Sequence, residues 1–209
     1  YPDGGFMQYG YDKKSNIISK RMTDGAIINF QYDSLNRIIA KTLPGGQVFS
    51  YGYDAINRII SATNNNGTVV ITYDALNRIA SETFDGRTTR YNYNIAGRTQ
   101  TTIYPDSTSI TKNFDTRNRL TSIAKNNTTI AGYQYNNANQ VTVKNFANGV
   151  SSNMQYDFAN RLIIISTAGG SIQNTSFAYD NERNKTSINR LNNPALSEQF
   201  TYDNGHRLI

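Results

Sequence analysis

Apolar and polar residues alternate along this chain with a period of two, in runs of five or six broken by turn residues. Ile28-Asn29-Phe30-Gln31-Tyr32 and Phe49-Ser50-Tyr51-Gly52-Tyr53 show the pattern plainly. Such alternation predicts short half-buried strands rather than helices. The alternation itself repeats. An aromatic residue followed by Asp or Asn recurs at Tyr11, Tyr32, Tyr53, Tyr73, Tyr93, Phe114, Tyr135, Tyr156, Tyr179 and Tyr202, at intervals of 20, 21 or 23 residues. A period near 21 suits two strands and two turns. About 20 strands and an uninterrupted array over residues 1–209, with no domain boundary, are therefore expected.

Each position of the unit has a physical reading. Four residues after the aromatic stand Asn36, Asn57, Asn77, Gly97, Asn118, Asn139 and Asn160. Asn and Gly share tolerance of the left-handed backbone region, which predicts a positive φ there and a type I turn with a following bulge residue. The Asp after the aromatic (Asp33, Asp54, Asp74, Asp115, Asp157 and three more) can accept backbone hydrogen bonds across that turn. Arg follows the turn residue at Arg37, Arg58, Arg78, Arg98, Arg119, Arg161 and Arg207. It is expected to pair with the Asp across the hairpin, as an exposed pair contributing about 0–1 kcal/mol. The next residue (Ile38, Ile59, Ile79, Leu120, Val141, Leu162 or Leu208) should open the outgoing strand.

A second turn lies halfway round the period, at Asp24-Gly25, Gly45-Gly46, Asn66-Gly67, Asp85-Gly86, Asp106-Ser107, Asn148-Gly149 and Gly169-Gly170. Two residues before the key aromatic stand Tyr9, Phe30, Tyr51, Tyr91, Tyr133, Phe177 and Phe200. They share a face with it, so a double aromatic ladder with aromatic cross-strand pairs is expected. The fold class is all-β: a continuous antiparallel meander of hairpins. A sheet of about 20 strands at about 4.8 Å per strand has to curl, spiral or pack against something.

Composition agrees and narrows the function. There are 15 Tyr, 28 Asn and 22 Thr, with no Cys and no Trp. Zero Cys excludes a disulfide scaffold and a thiolate site. Hydrophobic residues make up 37%, and no apolar run is long enough for a membrane-spanning helix. No basic-apolar-small leader opens the chain, which begins Tyr1-Pro2-Asp3-Gly4 without a Met. A mature product or a fragment is expected. Seven of the 21 basic residues behind the net charge of +6 are the evenly spread repeat Arg, and the clusters that remain are small, at Lys13-Lys14, Lys20-Arg21, Arg87 with Arg90, and Arg117 with Arg119. That distribution does not predict a specific nucleic-acid site.

The Tyr-Asp-x-x-Asn/Gly-Arg-Ile/Leu unit, with Pro-Asp-Gly type turns at Tyr1-Pro2-Asp3-Gly4, Leu43-Pro44-Gly45-Gly46 and Tyr104-Pro105-Asp106-Ser107, resembles the Rhs or YD repeat over essentially the whole chain. The family includes bacterial Rhs toxins, the shell-forming components of insecticidal toxin complexes, and animal teneurins. The resemblance implies a β-sheet strip that spirals into a hollow shell, secreted or at the cell surface, which in the bacterial proteins encloses a toxin. The implied partners are the remaining repeats or toxin domain of a larger parent. Gln140 stands where Arg is usual, and Asn184 and Lys185 are taken to replace Asn-Arg.

Catalytic chemistry finds little footing. His206, the sole His, occupies a turn-Asn position, and most Asp are repeat residues. No calcium loop or phosphate loop is present in the sequence, so no cofactor or metal is implied. A non-enzymatic structural segment is the leading expectation. The alternative is a cell-surface adhesin or filament module that binds glycans or self-associates through strand edges.

Overall fold

A computed structural model describes residues 6–169 and 174–209. The turns expected at Pro2-Asp3-Gly4 and at Gly170 lie outside the described residues. Nineteen strands lie among the described residues, where about 20 were expected. In the first part of the chain they are β1 (Gln8–Tyr11), β2 (Ile17–Arg21), β3 (Ile27–Tyr32), β4 (Ile38–Thr42), β5 (Val48–Tyr53), β6 (Ile59–Asn64), β7 (Gly67–Tyr73), β8 (Ile79–Phe84) and β9 (Arg87–Asn94). They are followed by β10 (Thr99–Ile103), β11 (Ser109–Phe114), β12 (Leu120–Lys125), β13 (Thr128–Tyr135) and β14 (Val141–Phe146). The last are β15 (Ser151–Tyr156), β16 (Leu162–Ala168), β17 (Thr175–Tyr179), β18 (Lys185–Arg190) and β19 (Glu198–Gln199). One 3-10 turn, Pro194–Leu196, replaces the tight second turn of the penultimate repeat, where Pro194 fixes φ. The all-β antiparallel meander is as expected.

The chain divides into two compact units, Tyr1–Tyr91 with Ile103–Ser107, and Asn92–Thr102 with Thr108–Ile209. In the first, β1 to β8 pair in chain order, each antiparallel to the next, and β8 pairs with the start of β9. In the second, β11 to β19 do the same.

Two kinds of junction alternate. At the Tyr-Asp hairpin the ladder runs up to the turn with one extra residue. Tyr32 faces Ile38, but Gln31 faces Ala40, so Ile39 is a bulge. The same shift precedes Tyr11, Tyr53, Tyr73, Phe114, Tyr135, Tyr156 and Tyr179. Between β4 and β5 the ladder covers only Thr42↔Val48, Lys41↔Phe49 and Ala40↔Ser50. Beyond Ser50 the backbones no longer pair, which leaves the Tyr-Asp end of each repeat boundary to side chains.

One face carries Phe30 and Tyr32 with Lys41 and Ile38 opposite them, and the other carries Asn29 and Gln31 opposite Thr42 and Ala40. The same division recurs, with Gly52↔Ser61 and Ala178↔Ser187 on the polar face. The expected aromatic cross-strand pairs are thus corrected. Successive aromatics are separated by an intervening strand, and Tyr32 and Phe30 face Ile38 and Lys41 instead.

Within each compact unit, no second layer of described residues covers either face. Among the described residues the buried apolar ones are Ala124 and Ala131, both small. Stability therefore rests on nearest-neighbour contacts along the array, as in other repeat proteins.

Candidate functional site

The chemistry-bearing residues of this chain form one constellation repeated along a sheet margin. It begins with the turn. In the unit from Tyr32, the Asn36 N–H donates to the Asp33 carbonyl at 3.1 Å, and the Asp33 N–H donates to the Arg37 carbonyl at 3.0 Å. Asn36 has φ 62, and Asn57, Asn77, Asn118, Asn139 and Asn160 have φ between 58 and 68. This is the type I turn plus bulge residue that the Asn spacing predicts. His206 has φ 59 in the same position, so its turn role is also as expected.

Asp33 organises the loop it precedes. Its Oδ1 accepts the N–H of Leu35 at 2.9 Å and of Arg37 at 3.0 Å, while its Oδ2 accepts Arg37 Nε at 2.7 Å. Asp54, Asp74, Asp115, Asp157 and Asp203 repeat all three bonds. The backbone N–H of Arg37 holds the Asp33 carboxyl below the ordinary carboxylate range, with the guanidinium adding to the effect and desolvation opposing it. The same holds at Asp54, Asp74, Asp115 and Asp157.

The Arg reaches further than its own hairpin. Arg37 Nη1 donates to the carbonyl of Asp54 at 3.2 Å and to Asn57 Oδ1 at 2.8 Å, both in the next repeat. Its guanidinium also lies 4.6 Å from the centre of the Tyr53 ring. Arg119 makes the same set to Asn136, Asn139 and Tyr135. Arg58 bonds Asn77 and covers Tyr73, and Arg161 bonds Asp180 and covers Tyr179. The expectation of an exposed Asp–Arg pair is thus corrected. The Arg37 and Asp33 side chains are 22% and 19% exposed, and the guanidinium spends its remaining donors on the neighbouring repeat.

Tyrosine closes the junction from the other side. Tyr53 Oη donates to the Ile38 carbonyl at 2.8 Å, the backbone acceptor left free where the ladder stops at Ser50. Tyr32, Tyr73, Tyr135 and Tyr156 reach Ile17, Ile59, Leu120 and Val141 in the same way, and Tyr179 and Tyr202 reach Leu162 and Lys185. A buried peptide carbonyl without a partner is costly, so each hydroxyl satisfies a group that the bulge and the splayed strands expose. Burial pushes the Tyr135 and Tyr179 hydroxyls above the ordinary value.

The unit from Tyr93 departs from the pattern. Gly97 does not carry the positive φ expected of it; Arg98 does, with φ 49. Asn94 stands where Asp is usual, and its Oδ1 takes the Gly97 N–H at 2.8 Å. The turn moves one residue along, closed by the Arg98 N–H on the Ile95 carbonyl at 3.2 Å. Arg98 is therefore a turn residue rather than a partner for position 94. Phe114, lacking a hydroxyl, is joined instead through its own N–H to the Arg98 carbonyl at 2.9 Å.

Other substitutions keep the function with different atoms. Asn16 and Asn184 occupy the Arg position, each donating Nδ2 to its Asp at 2.9 Å. Arg183, with φ 71, holds the turn position of that late unit, which corrects the assignment of Asn184 and Lys185 to Asn-Arg. Gln140 Nε2 donates to the Asn160 carbonyl at 3.0 Å, a neutral version of the Arg contact. At the second turns, Gly25, Gly46, Ser107 and Gly149 have the expected positive φ. The expected Asn66-Gly67 turn lies one residue earlier, at Asn65-Asn66, and Gly67 already belongs to β7. Asn126-Asn127, with φ 48 and 66, is a turn the sequence reading missed, although Asn-Asn is a ready left-handed pair.

Asp180 and Asp203 share an open groove with Glu182 and His206. Both aspartates are already committed to their own turns. No group of metal-ligating side chains is found among the described residues.

These features are those of a repeat scaffold. Residues 32–69 match the family model described as RHS Repeat, which bears out the resemblance drawn from the Tyr-Asp units. The fold over 99% of the chain is shared with the crystal structure of TcdB2-TccC3, at 16% identity and a TM-score of 0.79. It is shared also with TcdB2-TccC3-TEV, at 17% identity, 99% coverage and a TM-score of 0.76. It is also similar to the Tc holotoxin pore of Photorhabdus luminescens, at 14% identity over 97% of the chain and a TM-score of 0.54. In each case the chain spans 13% of the matched chain. No curated protein matches.

Proposed function

We propose that this chain is a structural segment of a secreted or bacterial surface protein. Its ten units act as one array, a strip of a hollow shell that encloses or displays a toxin carried by the same parent. The observation that carries this reading is that within each compact unit the repeats are stapled side to side as sheet, with only two small apolar residues buried among the described ones. Such a strip separates two compartments mechanically, because most of its repeat boundaries are closed by Tyr-to-carbonyl bonds, several of them reinforced by Arg-to-Asn bonds. The likeness to TcdB2-TccC3, seen over a small share of that chain, supports a larger assembly of the same kind.

Limited proteolysis of the parent protein tests it. The polypeptide beyond the repeats is expected to resist protease until the sheet is unfolded by urea. Equal cleavage rates in native buffer and in urea would refute the enclosure.

A second reading, a surface adhesin or filament module, draws on the turn tips Leu35, Ile56 and Leu76. All are at least 60% exposed at equivalent places in successive repeats. A glycan array decides its carbohydrate form: signal lost on Tyr→Ala changes would favour adhesion.

A further inference from the structure

The repeat Arg fills a seat made by the next hairpin. For Arg37 the seat is the face of the Tyr53 ring at 4.6 Å, the Asp54 carbonyl at 3.2 Å and Asn57 Oδ1 at 2.8 Å. Arg119 fills the same seat made by Tyr135, Asn136 and Asn139. A ring face flanked by two oxygen acceptors suits a planar cation with several N–H donors, and a guanidinium is such a cation.

Three units put an amide where that Arg stands. Two of these amides still engage the turn side chain of the next hairpin. Asn16 Nδ2 donates to Asn36 Oδ1 at 3.0 Å, and Asn184 Nδ2 lies 3.1 Å from His206 Nδ1. Gln140 does not. Its Nε2 donates to the Asn160 backbone carbonyl, and its Oε1 accepts Asn136 Nδ2. Among the described residues, Asn160 Oδ1 has no donor and the Tyr156 ring has no cation over it. The Asp157 carbonyl accepts the Asn160 N–H at 3.0 Å and no guanidinium.

An open cavity of about 520 Å³ lies at this boundary, lined by Gln140, Thr142, Met154, Tyr156, Phe158 and Asn160. The turns on both sides are closed, by the Asn139 N–H on the Asn136 carbonyl and by the Asn160 N–H on the Asp157 carbonyl, so the opening comes from the shorter side chain at position 140. Phe158 adds a second aromatic surface. The equivalent position holds Ser34, Ala55, Ala75, Thr116 or Asn137 in other units, and Phe158 is fully exposed.

We propose that this seat binds an arginine side chain of a polypeptide. The guanidinium lies against the Tyr156 ring and donates to the Asp157 carbonyl and Asn160 Oδ1, as Arg37 does in the seat at Tyr53. Phe158 and Met154 flank its aliphatic stem. The cavity is far larger than a guanidinium alone needs, and the remaining volume takes the residues on either side of the arginine. The Asp157 carboxylate is already bonded to Arg161, at 2.6 Å. Recognition therefore rests on the ring and the neutral oxygens, which discriminate a planar guanidinium from the compact ammonium of lysine. The seat belongs to one repeat boundary and is independent of what the sheet encloses.

NMR titration of the nitrogen-15-labelled 209-residue chain with the peptide acetyl-Gly-Gly-Arg-Gly-Gly-amide tests the proposal. The Tyr156, Asp157 and Asn160 amides should shift saturably, with a dissociation constant on the order of 1 mM. The same peptide with Lys in place of Arg should bind about fivefold more weakly or worse. Gln140→Arg supplies a guanidinium from within the chain and should weaken peptide binding about tenfold. Asn160→Gly keeps the left-handed turn, removes Oδ1 and should weaken it about fivefold. Amide shifts unchanged in the other repeats confirm that both variants are folded. No saturable shift, equal binding of the lysine peptide, or undiminished binding by either variant would overturn the proposal. Free L-arginine binding as tightly as the peptide would assign the seat to a small molecule and overturn the polypeptide as its occupant.

Discussion

Replacing Asn57 isolates the backbone term on which every Tyr-Asp hairpin depends. The residue has φ 68, and its Oδ1 accepts Arg37 Nη1 at 2.8 Å. Ala at that φ brings its Cβ against the following carbonyl, costing about 1 kcal/mol relative to Asn. Losing the acceptor for a partly covered guanidinium costs about 1 kcal/mol more. Asn57→Ala should therefore destabilise the hairpin by about 2 kcal/mol. Asn57→Gly loses the bond but not the backbone fit, so it should cost about 1 kcal/mol. Native-state hydrogen exchange suits the measurement, since repeat arrays open locally and a single global unfolding energy is not well defined. The Asp54 and Asn57 amides, which close the turn at 3.0 and 3.2 Å, are the reporters. Equal exchange in the Ala and Gly variants would refute the left-handed requirement. Protection unchanged in both would also remove the Arg37 contact from the account.

Three further outcomes are expected. Tyr53→Phe leaves the Ile38 carbonyl without its hydroxyl donor and should destabilise the β4–β5 boundary by about 1 kcal/mol, read as faster exchange in Tyr53 and its neighbours with the Asn36 turn unaffected. Asp12, Asp33, Asp54, Asp74, Asp115, Asp157, Asp180 and Asp203 are all held below their ordinary value of 3.8. Depressed folded-state values contribute stability that is present above about pH 4 and lost as pH falls through them, so urea midpoints should stay flat from neutrality to about pH 5 and drop steeply below about pH 4. Finally, Asn136→Asp with Gln140→Arg rebuilds the charged staple in a unit that now uses an amide pair at 2.7 Å, and the double variant should gain more in urea midpoint than the two single changes summed.

The hairpins were legible in the sequence because their bonds are local. An Asp that accepts N–H groups two and four residues ahead, and an Asn at positive φ, occupy five consecutive residues, so type and spacing suffice to recognise them. Where one residue type changes, spacing alone misleads. Asn94 captured the Gly97 N–H, the turn slid by one, and Arg98 took the left-handed position that Gly97 seemed made for.

The register of successive hairpins was decided elsewhere. A bulge such as Ile39 shifts the pairing, the ladder stops at Ser50, and only then is the Ile38 carbonyl open to Tyr53, 15 residues away. The periodic Tyr and Arg announced that something repeats. Three-dimensional pairing determined that each joins its repeat to the next, because the acceptors they meet become free only when the strands are in place.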